Sequence, residues 1–94
     1  MKIEALIWLD DVIEKLLRKH DVSPYEVKEV LESNPHFRFV EKGHREGDNV
    51  YSALGQTQGG RYLIVFFVYK RGGRGLVLSA RDMTPRERKR YEKR

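Results

Sequence analysis

The stretch that decides the fold is Arg61-Tyr62-Leu63-Ile64-Val65-Phe66-Phe67-Val68-Tyr69. Residues 63–68 form an unbroken apolar run of leucine, β-branched and aromatic side chains, a composition that favours strands. A strand that is apolar at every position, instead of at every second one, is typical of a strand buried on both faces. The run therefore predicts the central strand of a sheet.

Four further strands are predicted around this run, from β-branched and aromatic content or from alternation with period two. They are Ile3 to Leu9, a short strand with Phe37, Phe39 and Val40, Asn49 to Gln56, and Gly75 to Ala80. The glycine-bearing segments 58–60 and 71–74 turn the chain into and out of the central strand. Residues 41–48 are polar and contain two glycines, so they predict a loop.

Three helices are predicted, each with a recognisable start. The first begins at a capping-box-like pair, Asp11 and Glu14. The second and third begin at Ser23-Pro24-Tyr25-Glu26 and Thr84-Pro85-Arg86-Glu87, where a hydroxyl N-cap precedes proline and glutamate. The predicted helix ends are about His20, before Pro35, and about Tyr91. The order β-α-α-β-β-β-β-α predicts an α+β fold with the helices on one side of a largely antiparallel sheet.

Length and composition exclude several classes of protein. A chain of 94 residues with 39% hydrophobic content predicts a single domain, residues 1–94, whose core cannot also enclose a large cofactor. The absence of cysteine excludes disulfide frameworks, zinc fingers, iron–sulfur clusters and thiol catalysis. The first residues lack the pattern of a signal peptide, and the longest apolar run, residues 63–69, is too short to span a bilayer. A cytoplasmic protein is expected.

The charge is concentrated in the last quarter of the chain. Residues 1–69 carry nine Lys and Arg against eleven Asp and Glu, a net charge of −2, whereas residues 70–94 carry ten cations against three anions, a net charge of +7. Such an asymmetry predicts a surface that binds a polyanion, either nucleic acid or an acidic protein partner.

Most of these cations fall on or near the last helix. They are Arg81, Arg86, Arg88, Lys89, Arg90, Lys93 and Arg94. Because Arg86, Lys89, Arg90 and Lys93 recur at three- and four-residue spacing, they form one cationic helix face that suits phosphate oxygens. A solvated, solubilising helix and a surface for an acidic partner are the alternatives.

Arg61 and Arg81 form a second candidate site. Arg61 opens the central strand, and Arg81, after Ser79, closes the neighbouring strand of the hairpin, so antiparallel pairing brings the two positions to one end of the sheet. Two guanidinium groups meeting there could stabilise the charge that builds on a phosphate during phosphodiester cleavage. The alternative is that both arginines flank the sheet structurally, or that they pair with Glu87.

The remaining candidates have structural alternatives that are at least as strong. His20, His36 and His44 titrate near neutrality and are the natural acid/base candidates, although none has metal-ligand spacing and His20 continues an apolar helix stripe. Asp10, Asp11 and Glu14 could hold a magnesium ion, but stabilising a helix N-terminus explains them better. Trp8 is a core residue that could also stack on a base. We expect no metal and no cofactor.

Several short segments occur in an order typical of one known family. They are Trp8-Leu9-Asp10, Arg18-Lys19-His20, Val22-Ser23 with Glu26, His44 with Glu46, Gly55, Arg61-Tyr62-Leu63-Ile64-Val65-Phe66, Leu78-Ser79-Ala80-Arg81, and Arg86-Glu87-Arg88-Lys89-Arg90-Tyr91-Glu92. Over nearly its whole length the chain resembles the BrnT family, toxins of bacterial type II toxin–antitoxin modules with a RelE-like ribonuclease fold. It departs from that family at Asp21, where a glycine is usual, and at Asn49, where an arginine is usual.

The resemblance implies metal-independent RNA cleavage that inhibits translation or growth, and neutralisation by a BrnA-like antitoxin with a ribbon-helix-helix domain. By position, it implies that Arg61 and Arg81 stabilise the scissile phosphate while Lys19 and His20 position it or move protons. It further implies that the last helix holds the RNA backbone, which adds a set of RNA-binding candidates. These are Arg86, Arg88, Lys89, Arg90 and Tyr91, with Trp8 as a base-stacking candidate.

Overall fold

The computed structural model describes residues 1–93; Arg94, counted above with the basic C-terminus, lies outside them. The elements in chain order are β1 (Ala5–Ile7), α1 (Asp10–Lys15), α2 (Pro24–Glu32), β2 (His36–Glu41), β3 (Val50–Gln56), β4 (Tyr62–Lys70), β5 (Arg74–Asp82) and α3 (Pro85–Glu92). A π-helical turn, Leu16–His20, continues α1. The strands form one sheet in the order β1-β5-β4-β3-β2, with β1 parallel to β5 and every other pair antiparallel. The predicted α+β fold, with the apolar run at the centre of the sheet, is confirmed.

One face of the sheet forms the main core with α1, the π turn and α2. Leu63, Val65 and Phe67 of β4 point to this face, because side chains alternate along a strand. They pack against buried residues of α2, among them Val27 and Val30, which are fully enclosed. Burying a side chain of this size contributes roughly 1.5–3 kcal/mol. The core therefore holds α2 firmly against the sheet.

The opposite face carries α3, so the expectation that the helices share one side of the sheet is wrong for this helix. Tyr91, the one large apolar residue of α3, packs edge-on against Tyr62 of β4, with 6.0 Å between ring centroids. Arg88 lies over the same Tyr62 ring at 3.8 Å. Tyr62 precedes Leu63 and therefore points away from the main core. This aromatic contact helps to hold the short helix on that face.

The helix starts follow the sequence prediction at two of three sites. Ser23 and Thr84 are N-caps with complete capping boxes to Glu26 and Glu87. The first helix is different, since it begins at Asp10 after an N-cap Leu9 that makes no side-chain hydrogen bond. The predicted capping box from Asp11 to Glu14 is wrong. Asp10 and Asp11 lie in the first turn, where carboxylates complement the helix dipole.

Strand lengths also differ from the prediction. β1 is only Ala5–Ile7, because the chain leaves the sheet to begin α1, and β2 begins one residue earlier than expected, at His36. β5 continues to Asp82, two residues beyond its predicted end. These extensions place His36 and Asp82 at the end of the sheet where β4 begins.

Within residues 1–93, no helix combines the length and the apolar character that crossing a bilayer requires.

Candidate nucleic-acid interface

The Arg61 guanidinium lies at the start of β4 and bonds to three other segments of the chain. Nε and Nη2 donate to the two carboxylate oxygens of Asp82 at 2.8 and 3.3 Å. Nη1 donates to the Glu26 carboxylate at 3.2 Å and to the backbone carbonyl of Asp21 at 2.6 Å. Nη2 also donates to the backbone carbonyl of His20 at 2.9 Å. A guanidinium has five N–H donors, and these contacts use all of them.

We call Arg61, Asp82 and Glu26, with the carbonyls of His20 and Asp21, the Arg61 cluster. It joins the end of the π turn, the start of α2 and the end of β5. The hydrogen bond from Arg61 lowers the pKa of the Asp82 carboxyl, so the pair is charged at neutral pH. The Arg61 side chain is 26% exposed and already satisfied by carboxylates and carbonyls. The Arg61 side chain therefore links these elements to one another, and none of its N–H donors remains available for a phosphate.

Arg81 lies on the opposite face of the sheet. It pairs with Ile64 across the β4–β5 ladder, and its guanidinium lies over the Phe66 ring at 5.6 Å from the centroid. Nη1 and Nη2 donate to the two oxygens of Glu87 in α3 at 2.8 and 3.0 Å. This bidentate bond lowers the pKa of the Glu87 carboxyl.

The prediction that Arg61 and Arg81 meet in one anion-binding pocket is therefore wrong. The strand register brings both residues to the same end of the sheet, as expected. Their side chains nevertheless point to opposite faces, since Arg61 reaches α2 and the π turn whereas Arg81 reaches α3. Each guanidinium is also neutralised by a carboxylate. The alternative reading, that Arg81 pairs with Glu87, is confirmed.

Lys19 and His20 lie in the π turn, a rare geometry that is often found at functional sites. Lys19 is exposed, and its side chain makes no ion pair or hydrogen bond within residues 1–93. His20 is half-buried, and its carbonyl accepts a bond from Arg61. The turn ends at Asp21 in the left-handed conformation, with φ of 52°. The Arg61 cluster therefore fixes the backbone that carries Lys19 and His20.

The outer surface of α3 is cationic, as the sequence predicts. Arg86 and Lys89 are exposed, and neither makes an ion pair within the described residues. Arg88 and Tyr91, also predicted as RNA ligands, pack on Tyr62, and Arg88 lies 3.8 Å from Glu92. The free cationic surface of α3 is thus narrower than the charge count suggests.

A groove runs between α3 and the start of β2. It has a volume of about 390 Å³ and is lined by His36, Arg86, Lys89, Arg90 and Lys93. His36 pairs with Leu54 in the ladder of β2 with β3, so both side chains point to the same face of the sheet as Tyr62 and α3. The Arg90 Nε is buried and has no hydrogen-bond partner among the described residues. We call this the His36 groove.

The proximity of His36 to the basic helix could not be predicted from the sequence. Alternation along β2 indicates which face His36 occupies, but the position of α3 over that face depends on the contact of Tyr91 with Tyr62, which no sequence spacing reveals. Matching the aromatic side of α3 to a face of the sheet could have suggested this position, but only once the strand register was known.

Trp8 and the loop at the other end of the sheet have structural roles. Trp8 is half-buried and packs against the main core, on the opposite face from α3. Asn49 accepts a hydrogen bond from the backbone N–H of Gly43 at 3.2 Å, and Lys70 bonds to Asp48. The residue that departs from the family pattern at position 49 therefore closes the loop that carries His44.

Residues 1–93 contain no group of three His, Cys, Asp or Glu side chains placed to hold a metal ion.

A protein family and a solved structure are similar to this chain. A family model described as "Ribonuclease toxin, BrnT, of type II toxin-antitoxin system" matches residues 8–87. The chain also resembles the 1.1 Å crystal structure of the ribonuclease toxin BrnT of Brucella abortus, with a TM-score of 0.60 and 16% sequence identity. That likeness covers 85% of this chain and 96% of the Brucella chain, and it is a likeness of fold. No curated protein sequence matches the chain.

Proposed function

Because this chain belongs to the BrnT family of ribonuclease toxins of type II toxin–antitoxin systems, we propose that it cleaves single-stranded regions of RNA without a metal ion. The chemistry is attack of a ribose 2′-OH on the adjacent phosphorus, which forms a bond from the 2′ oxygen to phosphorus and releases the 5′ oxygen. The 2′ proton goes to a base, and the leaving oxygen takes a proton from an acid. The nucleophile and the leaving group both belong to the RNA, so this reaction needs no cofactor.

The observation that carries this proposal is the cationic surface of α3. Negative charge grows on the non-bridging phosphate oxygens as the 2′ oxygen attacks, and fixed cations stabilise it. Arg86, Lys89 and Arg90 lie on one side of α3 and are not paired with carboxylates within residues 1–93. We propose that these residues hold the RNA backbone.

The residues implied by the family resemblance take different roles in this proposal. Lys19 is an unpaired, exposed cation that could contact a phosphate, and His20 next to it is the candidate for proton transfer. Arg61 is a positioning residue, because it holds the carbonyls of His20 and Asp21 and its donors are taken by groups of the protein. Arg81 positions α3 through Glu87.

The type II family implies a protein antitoxin and an RNA target. We propose that the antitoxin is a BrnA-like protein with a ribbon-helix-helix DNA-binding domain. We further propose that the toxin acts on messenger RNA in the cytoplasm and so inhibits translation. A neighbouring reading frame for a short ribbon-helix-helix protein would support this assignment, and a neighbour of a different class would contradict it.

Cleavage of a long RNA in the presence of EDTA tests the enzyme. We expect fragments with cyclic 2′,3′-phosphate and 5′-hydroxyl ends, and about a tenfold slower reaction in the double variant Arg86→Gln with Lys89→Gln, because backbone contacts are lost. Lys28→Gln, an exposed cation of α2 on the other side of the sheet, is the matched control and should cleave like the parent. Cleavage that stops on chelation would contradict metal independence.

A second candidate function is supported by one observation. Arg61 and Arg81 are both bound to carboxylates, and Asn49 stands where the family resemblance expects an arginine. A toxin relative that has lost these phosphate ligands would bind RNA or an acidic partner without cutting. RNA that shifts on a native gel yet stays intact would support this candidate over the enzyme.

A further inference from the structure

We propose that the His36 groove binds a backbone phosphate of single-stranded RNA, and that binding there is coupled to uptake of a proton by His36. The groove is lined by one imidazole and four cationic side chains, and no carboxylate is among its lining residues. The inference rests on the proposed RNA-binding function of α3 and goes further, since it assigns a phosphate site and a pH dependence to that surface.

The first argument is the contrast between these cations and the two arginines at the same end of the sheet, Arg61 and Arg81. Arg61 and Arg81 make short bonds to Asp82 and Glu87, so their charge is already neutralised. The groove has no such partner. Cations held side by side repel one another, and an anion entering between them removes that repulsion. A phosphodiester, whose single negative charge is shared by two non-bridging oxygens, can accept hydrogen bonds from more than one of these cations.

The second argument is Arg90. Its Nε is buried and makes no hydrogen bond within the described part of the chain. A buried N–H without a partner is unfavourable. Because the Arg90 guanidinium also lines the groove, a phosphate that draws it outward would bond to the terminal nitrogens and expose Nε to water. Binding of a phosphate in the groove would therefore remove this unfavourable contribution.

The third argument concerns His36 itself. An imidazole titrates near neutrality and donates from both nitrogens only when it is protonated. The charged groups that face His36 are Arg86, Lys89, Arg90 and Lys93, all from α3, and its ladder neighbour Leu54 carries no charge. A protonated imidazole can donate to phosphate oxygens from both ring nitrogens, so a phosphate bound against the ring favours its protonated form, and RNA binding takes up a proton.

The test uses the full chain and a short 2′-O-methyl oligouridine, which keeps the phosphates but lacks the nucleophilic hydroxyl and cannot be cleaved. Affinity is measured by fluorescence anisotropy at pH 5.5 and pH 7.5 at one fixed salt concentration. We expect binding about fivefold to tenfold tighter at the lower pH, the size of one charge-assisted contact. In His36→Gln the two affinities should agree within about twofold. His44→Gln, in the loop at the opposite end of the sheet, should keep the full pH dependence.

In a second measurement, the imidazole signals in the NMR spectrum show where the probe binds. Shifts at His36 on adding the oligouridine, with His44 unmoved, support the groove. A pH dependence that survives in His36→Gln, or an unmoved His36 signal under saturating probe, would overturn the proposal. His36-dependent binding by a protein that leaves natural RNA intact would uphold the phosphate site and defeat the ribonuclease proposal alone.

Discussion

At the scale of single residues, Arg61 is the side chain whose role changes most between sequence and structure. Its position at the head of the central strand and its match to the family pattern suggested a phosphate ligand. In the fold, its donors are all taken by Asp82, Glu26 and the carbonyls of His20 and Asp21. A phosphate ligand and an arginine that only positions the backbone of His20 would both be needed for the proposed activity, and a measurement of stability separates these two roles.

Arg61→Ala should therefore destabilise the free protein. Loss of the charged hydrogen bonds leaves Asp82 and two carbonyls without their donor, a cost of about 2–3 kcal/mol in the free energy of unfolding. Urea denaturation without RNA measures it, with Lys28→Ala as the control for removal of an exposed cation. A variant as stable as the parent that cleaves no RNA would contradict the positioning role and restore Arg61 as a phosphate ligand.

Asp21 carries backbone strain that the usual glycine of the family would relieve. Its φ of 52° lies in the left-handed region, which is unfavourable for residues with a Cβ atom. Asp21→Gly should stabilise the protein by about 0.5–1 kcal/mol, since the strain removed exceeds the entropy that glycine adds to the unfolded chain. Thermal unfolding measures the change, and Asp21→Ala, which keeps the Cβ, should bring no such gain. A lower melting temperature for the glycine variant would contradict the strain argument.

At the scale of elements, the contact of α2 with β3 depends on a missing side chain. A Cβ atom at Gly55 would lie 2.9 Å from Val30 Cγ1 and 3.1 Å from the Val30 carbonyl oxygen. The backbone of α2 lies against β3 at this point, so rotation of the Val30 side chain alone would not make room for the added atom. The glycine permits the close packing of helix on sheet.

Gly55→Ala should displace α2 and cost about 1–3 kcal/mol of stability through overpacking. Gly59→Ala is the matched control, because the nearest atom to its added Cβ would be the Thr57 hydroxyl at 3.8 Å, an ordinary contact. Chemical denaturation of the two variants side by side tests the comparison. Equal stability of both would show that α2 has room to move.

The position of α3 also depends on a few side-chain contacts. Its capping box at Thr84 and Glu87 could be predicted from sequence, and so could its cationic face. The bond of Glu87 to Arg81 and the packing of Tyr91 on Tyr62 determine which face of the sheet it covers. Those contacts also create the His36 groove, because they place the helix beside the start of β2.

At the scale of the whole molecule, stability should depend on pH through the carboxylates that hold the sheet to its helices. The hydrogen bond from Arg61 lowers the pKa of Asp82, and that from Arg81 lowers the pKa of Glu87. A carboxyl whose pKa is lower in the folded state stabilises the fold above its unfolded pKa, near pH 4. This contribution is lost as the pH falls through the folded value.

We therefore expect the free energy of unfolding to fall steadily below about pH 4 and to change little between pH 5 and pH 7 from these two groups. Urea denaturation across this range measures the curve. Arg81→Gln should make the acid branch shallower, because Glu87 then loses the largest cause of its lowered pKa and keeps only the hydrogen bonds from Thr84. An acid branch of unchanged steepness in that variant would contradict the assignment.

Local patterns in the sequence were sufficient for most of the elements and for the cationic surface. The apolar run 63–68, the capping boxes at Ser23 and Thr84, and the charge excess after residue 69 each depend on neighbours within a few positions. The family pattern extended this to the ribonuclease fold. Such features are determined by propensity, periodicity and hydrogen bonds that close within a turn.

Only the tertiary structure decided which functional side chains meet. Arg61 and Arg81 come to one end of the sheet by register but diverge because a strand alternates its faces, and His36 meets α3 because Tyr91 packs on Tyr62. These outcomes depend on contacts between residues far apart in the chain. Their energies come from packing and burial, which a linear pattern of residue types does not record.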